Sequence, residues 1–235
     1  MRGFVFSVVF LGLLACSEDS DTEVDSSPAV NTYRYLALGD SYTIGTAIGV
    51  DSSYSAQLRD SLKISSPDSI FYQVIATNGW TTRDLQNGIN SAQPDSNFDL
   101  VSILIGVNNQ YQRRSIAEYE REFLSLALQA IQFAKGDKQR VMVFSIPDWG
   151  VSPAGSGNRA LIATQIDDFN SAQKAIADSL GLSFYDITGS SRQGIQDPSL
   201  IASDGLHFST KMHRIWMRDH FEAWLEKIKG WGRCA

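Results

Sequence analysis

Four short stretches of this 235-residue chain carry residue types that do acyl-transfer chemistry when they meet: Gly39-Asp40-Ser41, Asn78-Gly79, Gly106-Val107-Asn108 and Asp204-Gly205-Leu206-His207. Ser41 follows an apolar run over 35–38 that Gly39 stops, and a strand ending in a tight turn holds a serine hydroxyl at the open end of a sheet. That hydroxyl is a poor nucleophile until a base takes its proton. Of the three histidines, His207 comes three residues after Asp204 in a loop. At that spacing the carboxylate reaches the imidazole Nδ1–H, fixes the tautomer and leaves Nε2 for the serine. His213 and His220 fall seven apart on a predicted helix and read as surface or packing residues. A tetrahedral intermediate needs hydrogen-bond donors already in place. The Ser41 backbone N–H can be one, and Gly79 another, because the absence of a Cβ lets backbone come close to a ligand. The Asn108 side-chain amide can be a third. Plainer readings stand beside each. Asp40 or Ser41 caps a helix, Asn78-Gly79 and Asp204-Gly205 make turns, and Asn108 bonds to nearby backbone. Taken singly, they leave the order of the four stretches unexplained.

In that order the stretches resemble the SGNH (GDSL) hydrolase family, over nearly all the chain after its leader. The resemblance implies a nucleophile at Ser41, oxyanion donors at Gly79 and Asn108, and an Asp204/His207 pair. It also implies a serine esterase that works through an acyl-serine with no metal and no cofactor. Two positions depart from the family: Asn109 stands where it often has aspartate, and Phe208 where it often has proline. Asn109 is expected to bond local backbone and hold its loop, and Asn109→Asp is expected to be tolerated. Trp80, Tyr111 and Trp149 flank the four stretches, either lining a substrate pocket or covering the rim of the core.

The elements that must position these residues alternate along the chain. Strand-like apolar runs lie at 35–38, 70–76, 100–105, 141–146 and 182–185. Helical patterns lie between and after them, at 54–62, 81–89, 115–134, 159–180 and 208–228. Thr81 or Thr82 caps the second helix, Ser115 and Glu118 form a capping box on the third, and Gly181 closes the fourth. This alternation predicts a parallel sheet covered by helices on both faces. We therefore expect an α/β protein: a three-layer α/β/α, flavodoxin-like sandwich with a five-stranded parallel sheet. In such sheets ligands bind outside the carboxyl ends of the strands, where all four stretches fall.

The chain before the first strand reads differently. Met1-Arg2 and the apolar run 4–14 form a secretory signal too short to span a bilayer comfortably. Leu13-Leu14-Ala15-Cys16 resembles a bacterial lipobox, with Cys16 as the lipidated residue. We expect a lipoprotein signal peptide over 1–15, a polar tether over 16–31 and a hydrolase domain over 32–235. The acidic start of the tether, 18–21, resembles surface-export signals of Bacteroidetes-type lipoproteins. The expected place is the cell envelope, periplasm-facing or at the cell surface, with membrane attachment through the Cys16 lipid. Cys234 reads as a free thiol on the C-terminal tail. A net charge of -6 argues against a nucleic-acid partner, and no cysteine or histidine cluster has zinc spacing. The expected partner is a small-molecule or glycan ester. The substrate is then a lysophospholipid-like or short-chain acyl ester, or the O-acetyl group of a decorated glycan. A non-catalytic binding lipoprotein on the same fold is the rival of another class. A dinucleotide site is excluded, because 39–45 lacks the G-x-G-x-x-G spacing.

Overall fold

The computed structural model describes residues 32–65 and 69–231. Five parallel strands form its centre: β1 (Tyr33–Gly39), β2 (Ile70–Ala76), β3 (Leu100–Leu104), β4 (Val141–Phe144) and β5 (Ser183–Tyr185). Their order is β2-β1-β3-β4-β5, that of flavodoxin-like sheets. The central strands are apolar runs without alternation because both faces are covered. Tyr35 to Leu38 of β1 and all of β3 and β4 are buried.

Among the described residues eight α-helices surround the sheet. They are α1 (Ser41–Ile44), α2 (Tyr54–Ser65), α3 (Thr82–Ala92), α4 (Val107–Tyr111), α5 (Ile116–Phe133), α6 (Arg159–Leu180), α7 (Thr188–Ser191) and α8 (Thr210–Trp231). Helices α3, α5 and α6 pack in a row on one side, while α2 and α8 pack together on the other. The expected α/β/α sandwich and its parallel sheet are thus present. Each long helix begins or ends on a sequence signal. Thr81 and Asp84 form a full capping box at α3, and Gly181 closes α6 in the left-handed conformation. At α5 the expected box is half made. Ser115 Oγ accepts the Glu118 N–H, but the Glu118 carboxylate faces Arg83 and Arg114 instead.

Strand-to-helix crossings are short on the site side. After β1 the chain turns within Asp40 and enters α1 at Ser41. Gly39 is required there by close approach: a Cβ would lie 2.1 Å from Thr43 Oγ1 and 2.4 Å from the Leu104 carbonyl. The segments after β4 and β5, residues 145–158 and 186–209, are long and built of short helical turns. Two connections hold the first of them in place. Asp148 accepts from Gly150 N and pairs with Arg192 Nε at 2.9 Å. The Ser191 hydroxyl accepts the Asp148 N–H.

Candidate active site

The first turn of α1 presents Ser41 at the carboxyl edge of β1. Asp40 is its N-cap, with Oδ1 accepting the Tyr42 N–H at 3.0 Å. Burial of Asp40 is complete, and Oδ2 has no hydrogen-bond partner. Desolvation therefore pushes the Asp40 carboxyl up to about 7, against the lowering effect of the Tyr42 N–H. Ser41 is nearly buried, and no backbone partner among the described residues takes its N–H.

His207 sits on a loop that the sequence folds tightly. Gly205, at φ +70, lets the chain double back so that Gly205 N donates to Ala202 O and Ala202 N donates to His207 O. Asp204 Oδ1 accepts the N–H groups of Leu206 and His207, each at 3.0 Å. Asp204 Oδ2 lies 2.6 Å from His207 Nδ1. Partial burial opposes ionisation of Asp204, but the imidazole and the two N–H groups outweigh it and hold the carboxyl below its usual range. An ionised carboxylate accepts only, so Nδ1 carries the hydrogen and Nε2 is the free base. The Tyr42 ring meets the His207 ring edge-on at 5.8 Å, which joins this loop to the residue next to Ser41. No hydrogen bond joins Ser41 Oγ to His207 among the described residues, and apo sites are often loose in this respect. Phe208 is fully buried between Tyr42 and Trp216 and anchors the loop.

The donor side is assembled from two turns. Gly79 is exposed at φ +82, and a Cβ there would meet nothing within 4 Å, so its face is open to a ligand. Its N–H has no backbone partner among the described residues. Asn108 Nδ2 donates to the Trp80 carbonyl at 2.9 Å. One amide hydrogen is thereby committed and the second left over. Asn109 is buried, and its side chain does not bond its own loop. Its Oδ1 accepts the Thr82 N–H at 3.0 Å and its Nδ2 donates to Thr82 Oγ1 at 2.7 Å. The Thr82 hydroxyl in turn donates to Glu122 of α5. The two adjacent asparagines therefore clip the turn after β3 to the turn after β2.

The other expected residues divide. Trp80 packs on α3, where its ring fills the space a Cβ on Gly88 would need. Tyr111 is 64% exposed and stands edge-on to Trp149 at 5.5 Å. Trp149 Nε1 donates to Gln110 Oε1, which fixes the pair. His213 is a packing residue. Nδ1 accepts the Tyr54 N–H at 2.9 Å, and burial, reinforced by His207, pushes its imidazole down to about 3. His220 contacts the Asp186 carbonyl. Cys16, Cys234, the signal and the tether lie outside the described residues. Sequence reasoning missed Thr82, Glu122 and Arg192 as supports. Their partners lie between 27 and 44 residues away, and no local pattern marks such pairs.

A family model described as "GDSL-like Lipase/Acylhydrolase family" matches residues 37–215. No curated protein matches the sequence. Several solved structures share the fold. An acetylxylan esterase from Geobacillus stearothermophilus is 22% identical with a TM-score of 0.61, over 85% of this chain and 95% of that one. A lipase/acylhydrolase from Enterococcus faecalis is 17% identical with a TM-score of 0.59, over 78% and 90%. A member of the lipolytic protein G-D-S-L family from Veillonella parvula is 14% identical with a TM-score of 0.61, over 82% and 97%. At these identities the likeness is one of fold.

Proposed function

The chain belongs to the GDSL-like lipase/acylhydrolase family, and from that premise we propose that it is a serine esterase for acyl or acetyl esters. The observation that carries the reading is the 2.6 Å contact between Asp204 Oδ2 and His207 Nδ1, on a loop whose imidazole packs against Tyr42. His207 Nε2 takes the Ser41 proton as Oγ attacks the ester carbon. Negative charge develops on the carbonyl oxygen, and three donors receive it: the N–H groups of Ser41 and Gly79 and the second N–H of the Asn108 amide. His207 then returns the proton to the leaving alkoxide, and the acyl group stays on Ser41. Water, activated by the same imidazole, releases the acid. Every step is a proton or acyl transfer, so the reaction needs no cofactor.

A second reading narrows the substrate to the O-acetyl group of a glycan. The exposed Tyr111, held by Trp149 three residues beyond Asn108, favours it, because an open aromatic face stacks a sugar ring. We further propose that residues 1–15 are removed, that Cys16 carries the lipid, and that 16–31 tether the domain to the membrane.

The test compares wild type with Ser41→Ala on p-nitrophenyl acetate, longer p-nitrophenyl esters and acetylated xylan. Ser41→Ala should lower kcat by about a thousandfold or more with an unchanged circular dichroism spectrum. Turnover retained by a folded Ser41→Ala variant removes the serine mechanism. An activity that rises with acyl length and ignores acetylated xylan removes the glycan reading.

A further inference from the structure

A cavity of about 440 Å³ opens between segments 151–159 and 194–205, at the lower end of the usual size range for small-molecule sites. Its walls are mainly apolar, with Val151, Pro153, Ile195 and Ile201 among them, and Ile195 is 46% exposed at the surface. Gly205, between Asp204 and His207, forms another part of the wall. Arg159 is the one charged residue lining the cavity. Its Nε donates to the Gly150 carbonyl at 3.1 Å, which pins the guanidinium without neutralising it. No carboxylate among the described residues pairs with it, in contrast to Arg140 and Arg192, each of which meets two. The protein as a whole carries a net charge of -6, and here a guanidinium with no carboxylate partner stands beside an apolar wall.

We propose that this cavity is the subsite for the alcohol portion of the ester, and that Arg159 selects substrates bearing a carboxylate or phosphate there. This rests on the esterase reading. The side follows from the chemistry: His207 must protonate the leaving oxygen, so the alcohol emerges on the His207 side of the site, away from the Gly79 and Asn108 donors. The loop that carries His207 is itself part of the cavity wall. The anion follows from the guanidinium, whose planar fork matches the oxygens of carboxylate and phosphate. The apolar walls accept the carbon skeleton between that anion and the ester.

The test uses matched acetyl esters. 4-Acetoxybenzoate carries a carboxylate on its alcohol portion, its methyl ester lacks the charge, and acetylglycerol 3-phosphate carries a phosphate. A p-nitrophenyl succinate half-ester places the carboxylate on the acyl side instead. Wild type should favour 4-acetoxybenzoate over its methyl ester by about tenfold in kcat/KM, mainly through KM, and less so at high salt. Arg159→Gln should erase that preference and leave p-nitrophenyl acetate within about twofold, while Arg159→Lys should restore part of it. Acetylglycerol 3-phosphate decides whether phosphate shares the site. If both esters of the pair turn over equally in wild type, or the preference survives in Arg159→Gln, this proposal falls and the esterase reading stands. An Arg159-dependent preference for the succinate half-ester alone moves the anion to the acyl side and overturns the assignment. If wild type hydrolyses none of these esters, nor p-nitrophenyl acetate, the esterase reading falls and takes this one with it.

Discussion

Two adjacent asparagines show how roles separate at the level of single side chains. Asn108 holds one amide hydrogen on the Trp80 carbonyl and has one to offer the oxyanion. Asn108→Ala should lower kcat by roughly a hundredfold and change KM little, because the bond forms mainly in the transition state. Steady-state kinetics on p-nitrophenyl acetate checks it. Asn109 was expected to hold its own loop and to tolerate aspartate, and the hydrogen-bond polarity reverses that expectation. Asn109 Nδ2 donates to Thr82 Oγ1, whose only hydrogen goes to Glu122. Glu122 is also paired with Arg83 at 2.8 Å. A carboxylate at 109 cannot donate, so it would face a lone pair and a second carboxylate. Asn109→Asp should therefore cost about 1–3 kcal/mol in denaturant unfolding and lower kcat more than it raises KM. Adding Glu122→Gln should recover much of the loss, since an amide there can donate to Thr82 and free its hydrogen for Asp at 109. A single variant as stable as wild type would show that the clip does not act this way.

Among the elements, one of the shortest carries the nucleophile. Helix α1 is four residues long, and its cap is the buried Asp40, whose carboxyl is pushed up to about 7. A carboxyl whose folded value is raised stabilises the fold fully below its unfolded value, near ~3.9, and loses that contribution as pH rises through about 7. Asp40→Asn keeps an acceptor for the Tyr42 N–H and never ionises. The variant should gain stability relative to wild type as pH rises from about 5 to 8, by about 2–3 kcal/mol. Urea unfolding across that range measures it, and a constant difference would mean that Asp40 does not change its charge there. The His207 loop depends instead on packing. Phe208→Ala removes a ring held by Tyr42 and Trp216 and should cost about 3–5 kcal/mol, read as a lower melting temperature with kcat reduced in the surviving folded fraction.

At the scale of the molecule, no helix among the described residues is long and apolar enough to cross a membrane. The proposed attachment, through a lipid on Cys16, is tested at that residue. Cys16→Ser should move the protein out of the membrane fraction or stop its processing, and mass spectrometry of the mature N-terminus decides. An unacylated N-terminus at another residue overturns the lipoprotein reading.

Most of the frame was legible in the sequence. Apolar runs marked the strands because both faces of a parallel sheet are covered, and Thr81 and Gly181 marked helix ends because caps are local hydrogen-bond geometry. The Asp204–His207 contact was legible for the same reason: three residues of chain and a turn bring the groups together. Local spacing also suggested a capping box at Ser115, but long-range charge decided otherwise, drawing Glu118 towards Arg83. Tertiary structure alone decided which amide faces which partner, that the Trp80 ring lies on Gly88, that Asp40 is buried with an orphan oxygen, and that Arg159 lines a cavity unpaired. Most of these depend on atoms from distant parts of the chain. A sequence displays its local interactions in order, whereas burial, hydrogen-bond polarity and the absence of a counter-charge exist only once the chain has closed on itself.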